Sequence, residues 1–308
     1  MTIAAIDIGT NTVLLLVARV DGQGQIETLA YEQRTPRLGR GVDEHRNITR
    51  AAMEAVSRVV MEYRVIATSY KAERIVACAT SAVRDAKNRR QFISYMKSKT
   101  GMDVEVLTGD EEALMTYRGA VSGIRDLEGR ATVVDIGGGS MEVIVGDRNT
   151  INHHVSVDTG SVRVTERYLK TSPPETDEVE KALAAIQNEF TGLADFEFSG
   201  STLVGVAGTV TTVAALAQGL DTFDLSKIAG YRLSKDAVGW VYRMIRTKKP
   251  DEIRKLSEVV EGRADILFAG VLILQAFMER FKFESIVTSE RGVRYGLALQ
   301  EWEKARRA

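Results

Sequence analysis

The chain is poor in features that would narrow a function at once. It has a single cysteine, Cys78, which excludes an intrachain disulfide and fits a reducing cytosol as the expected compartment. Cys78 lies in the apolar run VACAT (Val76–Thr80), where a small buried hydrophobe is expected rather than a nucleophile. Neither sign of charge is in excess: 41 basic residues meet 42 acidic ones, leaving a net charge of −1. That balance gives no global attraction to nucleic acid or to an anionic membrane, so neither is an expected partner, and a polyanionic ligand would need a local basic surface. No cationic and apolar leader opens the sequence, so secretion is not expected. One long stretch, Phe198–Leu220, is free of charge, but its four glycines and many hydroxyl residues suit a strand, a glycine loop and a buried helix better than a membrane span.

What is present centres on Val133–Val145, VVDIGGGSMEVIV. A β-forming run carrying Asp135 enters Gly137, Gly138, Gly139 and Ser140, and a second apolar strand carrying Glu142 leaves. Glycine lets such a turn aim its backbone N–H groups at one point, which suits phosphate, and the two flanking carboxylates could hold a divalent cation against phosphate oxygens. An ordinary tight hairpin with an acidic rim fits the same window. The motif, however, occurs twice. In IDIGTNTVLLLV (Ile6–Val17), Asp7 aligns with Asp135, Gly9 with Gly137, Thr12 with Ser140 and Val17 with Val145. A repeat near half the chain length suggests two similar domains, and two such hairpins facing one another would clamp a polyanion. Leu14 stands where Glu142 stands in the second copy, so the chemistry is expected to be asymmetric.

The rest of the pattern alternates strands and helices in each half, an α/β arrangement of mixed sheets flanked by helices. The strand Ile26–Arg34 precedes a basic turn, Arg37–Gly41, that suits either phosphate or solvent. A long amphipathic helix follows from Thr49, with Met53, Val56, Val59, Val60 and Tyr63 on one face. Arg74–Ala79 is a buried strand leading into Thr80, Ser81 and Arg84, a position where α/β sheets commonly meet ligands; Arg84 pairing with a nearby acid is the plainer alternative. Thr108 and Glu111 form a capping box, which leaves Glu112 one turn into its helix, ionised by the helix terminus. Glu112 could deprotonate a water or merely enrich a first helical turn in acid. Gly208 and Thr209, after the strand Thr202–Ala207, could offer donors to an anion or form a tight strand–helix turn. His153 and His154 adjoin in a strand and so point to opposite faces, not to one metal. The charged connector Arg125–Arg130 sets the expected boundary, giving domains 1–126 and 127–308.

In order, DIGTNT, ATSAVRDAKN, TGDEEA, VVDIGGGSMEV, VAGTVTT, GRADILFAG and RGVRYG resemble the motifs of the exopolyphosphatase/guanosine pentaphosphate phosphohydrolase (Ppx/GppA) family of the actin-like superfamily. The resemblance runs over essentially the whole chain. It implies two actin-like (ribonuclease H-like) domains with an interdomain cleft, with the last helix, about 297–308, packing on the first domain. It implies a phosphoanhydride hydrolase that frees terminal orthophosphate from inorganic polyphosphate, guanosine pentaphosphate or both. By the same resemblance Glu112 is the catalytic base, and Asp135 and Glu142 bind a divalent metal, expected to be Mg²⁺, with Glu142 also helping to place the water. Gly9, Thr10, Asn11 and Thr12 form one phosphate loop, Gly137, Gly138, Gly139 and Ser140 the other, and Gly208 and Thr209 a third motif. Arg84, Arg263 and Arg294 are the basic residues near the substrate, and a homodimer is allowed.

Three departures from the family pattern stand out. Leu14 replaces an arginine common at that position, and Tyr295 an acidic residue. No counterpart of the additional C-terminal helical domains of longer members is expected, since three histidines leave no H…HD set, and long-chain processivity is not expected to follow automatically. Two other readings compete: a small-molecule kinase of the same superfamily, which would need an acceptor, and a non-catalytic polyphosphate or alarmone sensor, which would gain little from three acids beside a polyanion.

Overall fold

The computed structural model describes residues 1–40, 42, 46–124, 127, 129–147 and 150–307. It forms two compact units: Met1–Gly119 with Gly292–Ala308, and Ala120–Arg291. The connector expected at Arg125–Arg130 falls partly on residues outside those described (125, 126 and 128), as do Gly41 of the basic turn and Ala308 of the last helix.

In the first unit, β1 (Thr2–Ile8), β2 (Val13–Val20) and β3 (Ile26–Arg34) form an antiparallel meander. Helix α1 (Arg50–Ser69) then carries the chain over to β4 (Arg74–Ala79), which lies parallel to β1, as a parallel pair requires a crossover. Thr49 caps α1 by accepting from Ala52 N, and Met53, Val56, Val60, Tyr63 and Ala67 are its buried stripe. The Tyr63 hydroxyl reaches through that stripe to donate to Val13 O at 3.0 Å. Short α2 (Ser81–Asp85) follows β4 directly, and α3 (Arg89–Thr100) stops at Gly101 in the left-handed conformation. A short strand, β5 (Glu105–Val106), comes next, and α4 (Gly109–Ser122) follows. The sheet order is β3-β2-β1-β4-β5.

The second unit repeats this plan. Strands β6 (Ala131–Ile136), β7 (Met141–Gly146) and β8 (Ile151–Val157) form the meander, with every residue of β6 and β7 buried, as expected of central strands. After α5 (Ser161–Tyr168) and α6 (Thr176–Glu189), β9 (Thr202–Val206) pairs parallel to β6 and runs straight into α7 (Ala207–Ala217). The expected glycine loop Gly208–Thr212 is therefore the first part of the helix. Ala207 makes the abrupt turn, with φ of +66°. Next come α8 (Leu225–Ile228), β10 (Arg232–Ser234), α9 (Lys235–Ile245), α10 (Pro250–Arg254), apolar α11 (Leu267–Arg280) and β11 (Ser285–Thr288). Sheet order is β10-β11-β9-β6-β7-β8. Counting β6, β7, β8, β9 and β11 as first to fifth, both sheets read 3-2-1-4-5, the order of ribonuclease H-like and actin-like domains, with β10 added at one edge. The last helix, α12 (Val293–Arg307), belongs to the first unit, where Tyr295 and Ala298 pack with Ile3, Leu16, Ala18 and Val20. No helix among the described residues is long and apolar enough to cross a membrane.

Candidate active site

The two glycine turns are built alike. Gly9 N donates to Thr12 O at 2.9 Å and Gly137 N to Ser140 O at 3.1 Å, at equivalent places in β1–β2 and β6–β7. In the second unit the turn's carbonyls are held from behind by the start of α5. Gly137 O accepts from Ser161 N (2.9 Å), Gly138 O from Val162 N (2.8 Å) and Arg163 N (3.1 Å), and Gly139 O from Arg163 Nε (2.5 Å). In a trans peptide the N–H lies opposite the C=O, so the amides of Gly138, Gly139 and Ser140 point away from α5 as an array of donors suited to phosphate. Gly160 lets the backbones come this close: a Cβ there would lie 2.5 Å from Gly138 O. In the first unit the basic turn takes the same role, with Gly39 N donating to Thr10 O (2.8 Å) and Arg37 N to Asn11 O (3.0 Å). The segment Arg37–Gly39 thus backs the first turn, aiming the amides of Asn11 and Thr12 outward.

Asp135 and Glu142 are directly paired in register across β6 and β7, so both side chains share one face of the sheet. They are 9% and 1% exposed. Glu142 Oε1 accepts from Ser140 Oγ and from Ser156 Oγ, each at 2.8 Å. Ser156 faces Glu142 from β8, a neighbour that only the pairing of a third strand reveals and that the sequence did not suggest. Two buried carboxylates with serine hydroxyls are hard oxygen donors, and no group of three or more His, Cys, Asp or Glu among the described residues could hold a metal. Such a set fits Mg²⁺, which keeps several waters and takes one or two carboxylates plus substrate phosphate. The matching pair in the first unit is Asp7 with Leu14. Burial pushes the Asp7 carboxyl up to about 6, against the opposing pull of the Arg294 guanidinium and of the Cys78 thiol 3.9 Å away. Cys78 itself is fully buried, and burial raises its thiol well above the usual range.

Glu112 sits in the first turn of α4. The predicted capping box is present: Thr108 N donates to Glu111 Oε2 (2.8 Å) and Glu111 N to Thr108 Oγ1 (3.2 Å), and these bonds lower the Glu111 carboxyl. Glu112 is 6% exposed, and its Oε2 accepts from Arg84 Nη1 at 2.6 Å. The same Nη1 donates to Leu107 O at 3.2 Å. Ser81, at the other end of α2, is hydrogen-bonded through Oγ to Thr10 Oγ1 at 2.9 Å. Direct contacts therefore run from the first glycine turn through α2 to Glu112.

Of the remaining candidates, Gly208 and Arg263 are brought together: a Cβ on Gly208 would overlap the Arg263 guanidinium. Helix α7 lacks a side-chain cap, and Thr209 Oγ1 ties it to Ile136 O beside the second turn (3.3 Å). Arg294 lies near Asp7 of the first hairpin. It is 4% exposed inside the first unit, 4.4 Å from the Tyr31 ring centroid, and donates to Leu15 O at 3.4 Å. Tyr295 is likewise buried, its hydroxyl bonded to Thr28 Oγ1 at 3.0 Å.

The Ppx/GppA phosphatase family model matches residues 16–305. The chain belongs to that family. Among Ppx/GppA relatives, Exopolyphosphatase 2 of Mycobacterium tuberculosis is 33% identical over 96% of this chain and 97% of that protein. The guanosine-5'-triphosphate,3'-diphosphate pyrophosphatase of Photobacterium profundum is 30% identical over 98% of this chain but 60% of its own length. The crystal structure of an exopolyphosphatase from Cytophaga hutchinsonii superposes with a TM-score of 0.91 at 26% identity, covering 99% of this chain and 98% of that one. The protein is thus a hydrolase of the Ppx/GppA phosphatase type.

Proposed function

We propose that the chain releases terminal orthophosphate from inorganic polyphosphate, from guanosine pentaphosphate, or from both. The observation that carries this reading is the second glycine turn, whose Gly137, Gly138 and Gly139 carbonyls are committed to α5, which turns the amides of Gly138, Gly139 and Ser140 away from that helix, in a hairpin that carries the buried pair Asp135 and Glu142. In this reading the amides of Gly138, Gly139 and Ser140 receive the phosphoryl oxygens, and the uncapped start of α7 with Arg263 receives further phosphate charge. Water forms a bond to the terminal phosphorus, the bridging P–O bond breaks, and its electron pair leaves with the shortened chain. Glu112 takes the proton that the water gives up. Asp135 and Glu142 would hold Mg²⁺, which supplies charge neutralisation at the phosphoryl oxygens when bound. Positioning and electrostatics carry most of the rate in such a reaction.

The test is phosphate release from short polyphosphate, long polyphosphate and guanosine pentaphosphate, side by side, with no acceptor added. The expected result is release from at least one of them, stopped by chelation and restored by Mg²⁺. Transfer that appears only with an acceptor would assign a kinase, and binding without turnover a sensor.

A further inference from the structure

The contacts of Arg84 point to a role different from gripping phosphate. We infer that Arg84 is a positioning residue that orients the Glu112 carboxylate, an inference that rests on reading Glu112 as the base.

A single nitrogen, Nη1, bonds both Glu112 Oε2 at 2.6 Å and Leu107 O at 3.2 Å. Leu107 closes the segment after β5 and Glu112 opens α4, so the guanidinium braces the turn that delivers the base. The pair is poorly hydrated, with side chains 21% and 8% exposed. In such surroundings a charged hydrogen bond is short and strong, and stripping one partner leaves a buried charge uncompensated. Moving Arg84 onto a phosphate would break its bonds to both Glu112 and Leu107 and so release the base from its fixed orientation. Held in place, Arg84 Nη1 occupies Glu112 Oε2 and so sets the direction in which Oε1 points. Ser81, on the same short helix, is hydrogen-bonded to Thr10 of the first glycine turn. Helix α2 therefore sets the base relative to that turn, and Arg84 is its contact to the base.

The experiment compares Arg84→Gln and Arg84→Lys, each alone and in a Glu112→Gln background, using inorganic tripolyphosphate as the probe. A positioning role predicts that Arg84→Gln lowers kcat about 100-fold with KM within about 3-fold of wild type. The ascending limb of the kcat–pH profile moves to higher pH, because the carboxylate no longer accepts from the Arg84 guanidinium. Arg84→Lys, which keeps the charge without the planar fork, recovers part of kcat and returns the limb toward its wild-type position. In the Glu112→Gln background, Arg84→Gln changes the tripolyphosphate Kd by no more than about 2-fold, since Arg84 then has no base left to orient. The inference is overturned if Kd weakens about tenfold in that background and KM rises equally in the single variant, with kcat and the pH limb unmoved. Unfolding is monitored for each variant; should Arg84→Gln unfold, Arg84→Lys decides the matter by the same kcat-against-KM split. Full turnover by Glu112→Gln alone would instead defeat the reading of Glu112, a result distinct from any outcome at Arg84.

Discussion

Asp7 and Asp135 occupy one position in two copies of the same hairpin, yet they face different partners. Asp135 is paired with Glu142, whereas Asp7 is paired with Leu14 and enclosed with Arg294 and Cys78. Burial raises the Asp7 carboxyl from 3.8 to about 6. A carboxyl raised on folding binds its proton more tightly in the native state, so its contribution to stability is full below about 3.8 and is lost as pH rises through about 6. We predict a stability loss of about 3 kcal/mol across that window from this group. Asp7→Asn should flatten that part of the pH–stability curve measured by denaturant unfolding; an unchanged slope would contradict the assignment. At this scale the sequence revealed a residue when its local pattern was sufficient. The capping box left Glu112 over, and Glu112 lies buried where the pattern put it. Ser156 and Arg163 depend on the register of β8 and the placement of α5, which no local pattern contains. The packing of Arg294 on Tyr31 and β2 likewise depends on contacts distant in sequence.

At the level of elements, the two hairpins were the most legible part of the chain. Their glycines, alternating apolar strands and repeated Asp-Ile-Gly predict both strands and turns, and the strand pairs β1–β2 and β6–β7 form as expected. What holds each turn was not legible. The first is backed by Arg37–Gly39 and the second by Gly160–Arg163, segments with no shared sequence that converge on the same task. Gly208–Thr212 resembled a loop because glycine and threonine favour turns, but the left-handed Ala207 completes the turn one residue earlier and leaves them in α7. Strain of that kind at a non-glycine residue persists only where surroundings enforce it. The backing of the second turn can be tested at Gly160. Gly160→Ala places a methyl against the backbone of Gly138 and Gly139, with no flexible side chain to yield. It should destabilise the protein by about 1–3 kcal/mol and weaken phosphate binding as the turn is displaced. Gly192→Ala, where nothing lies within 4 Å, is the control and should shift stability by less than about 0.5 kcal/mol. Equal behaviour of the two variants in thermal unfolding would contradict the packing described.

Across the whole molecule, the duplication seen as a weak repeat in sequence becomes an identity of topology, 3-2-1-4-5 in both units. The sequence predicted the α/β class and the doubling because strand-and-helix periodicity is local. The resemblance put the last helix, about 297–308, on the first domain; α12 lies in the first unit from Val293 onward, where burial of Tyr295 and Ala298 depends on contacts distant in sequence. The asymmetry of the acids, by contrast, was visible from Leu14 and Glu142 alone, and the structure buries Asp135 and Glu142 side by side in one unit while Glu112 is held in the other.

The most direct test is single-turnover phosphate release by Glu112→Gln beside the wild-type protein, with tripolyphosphate binding measured on the same samples. Our account predicts that release falls by at least about 100-fold while binding persists and the fold is intact. Release at near wild-type rate by a folded Glu112→Gln protein would contradict it.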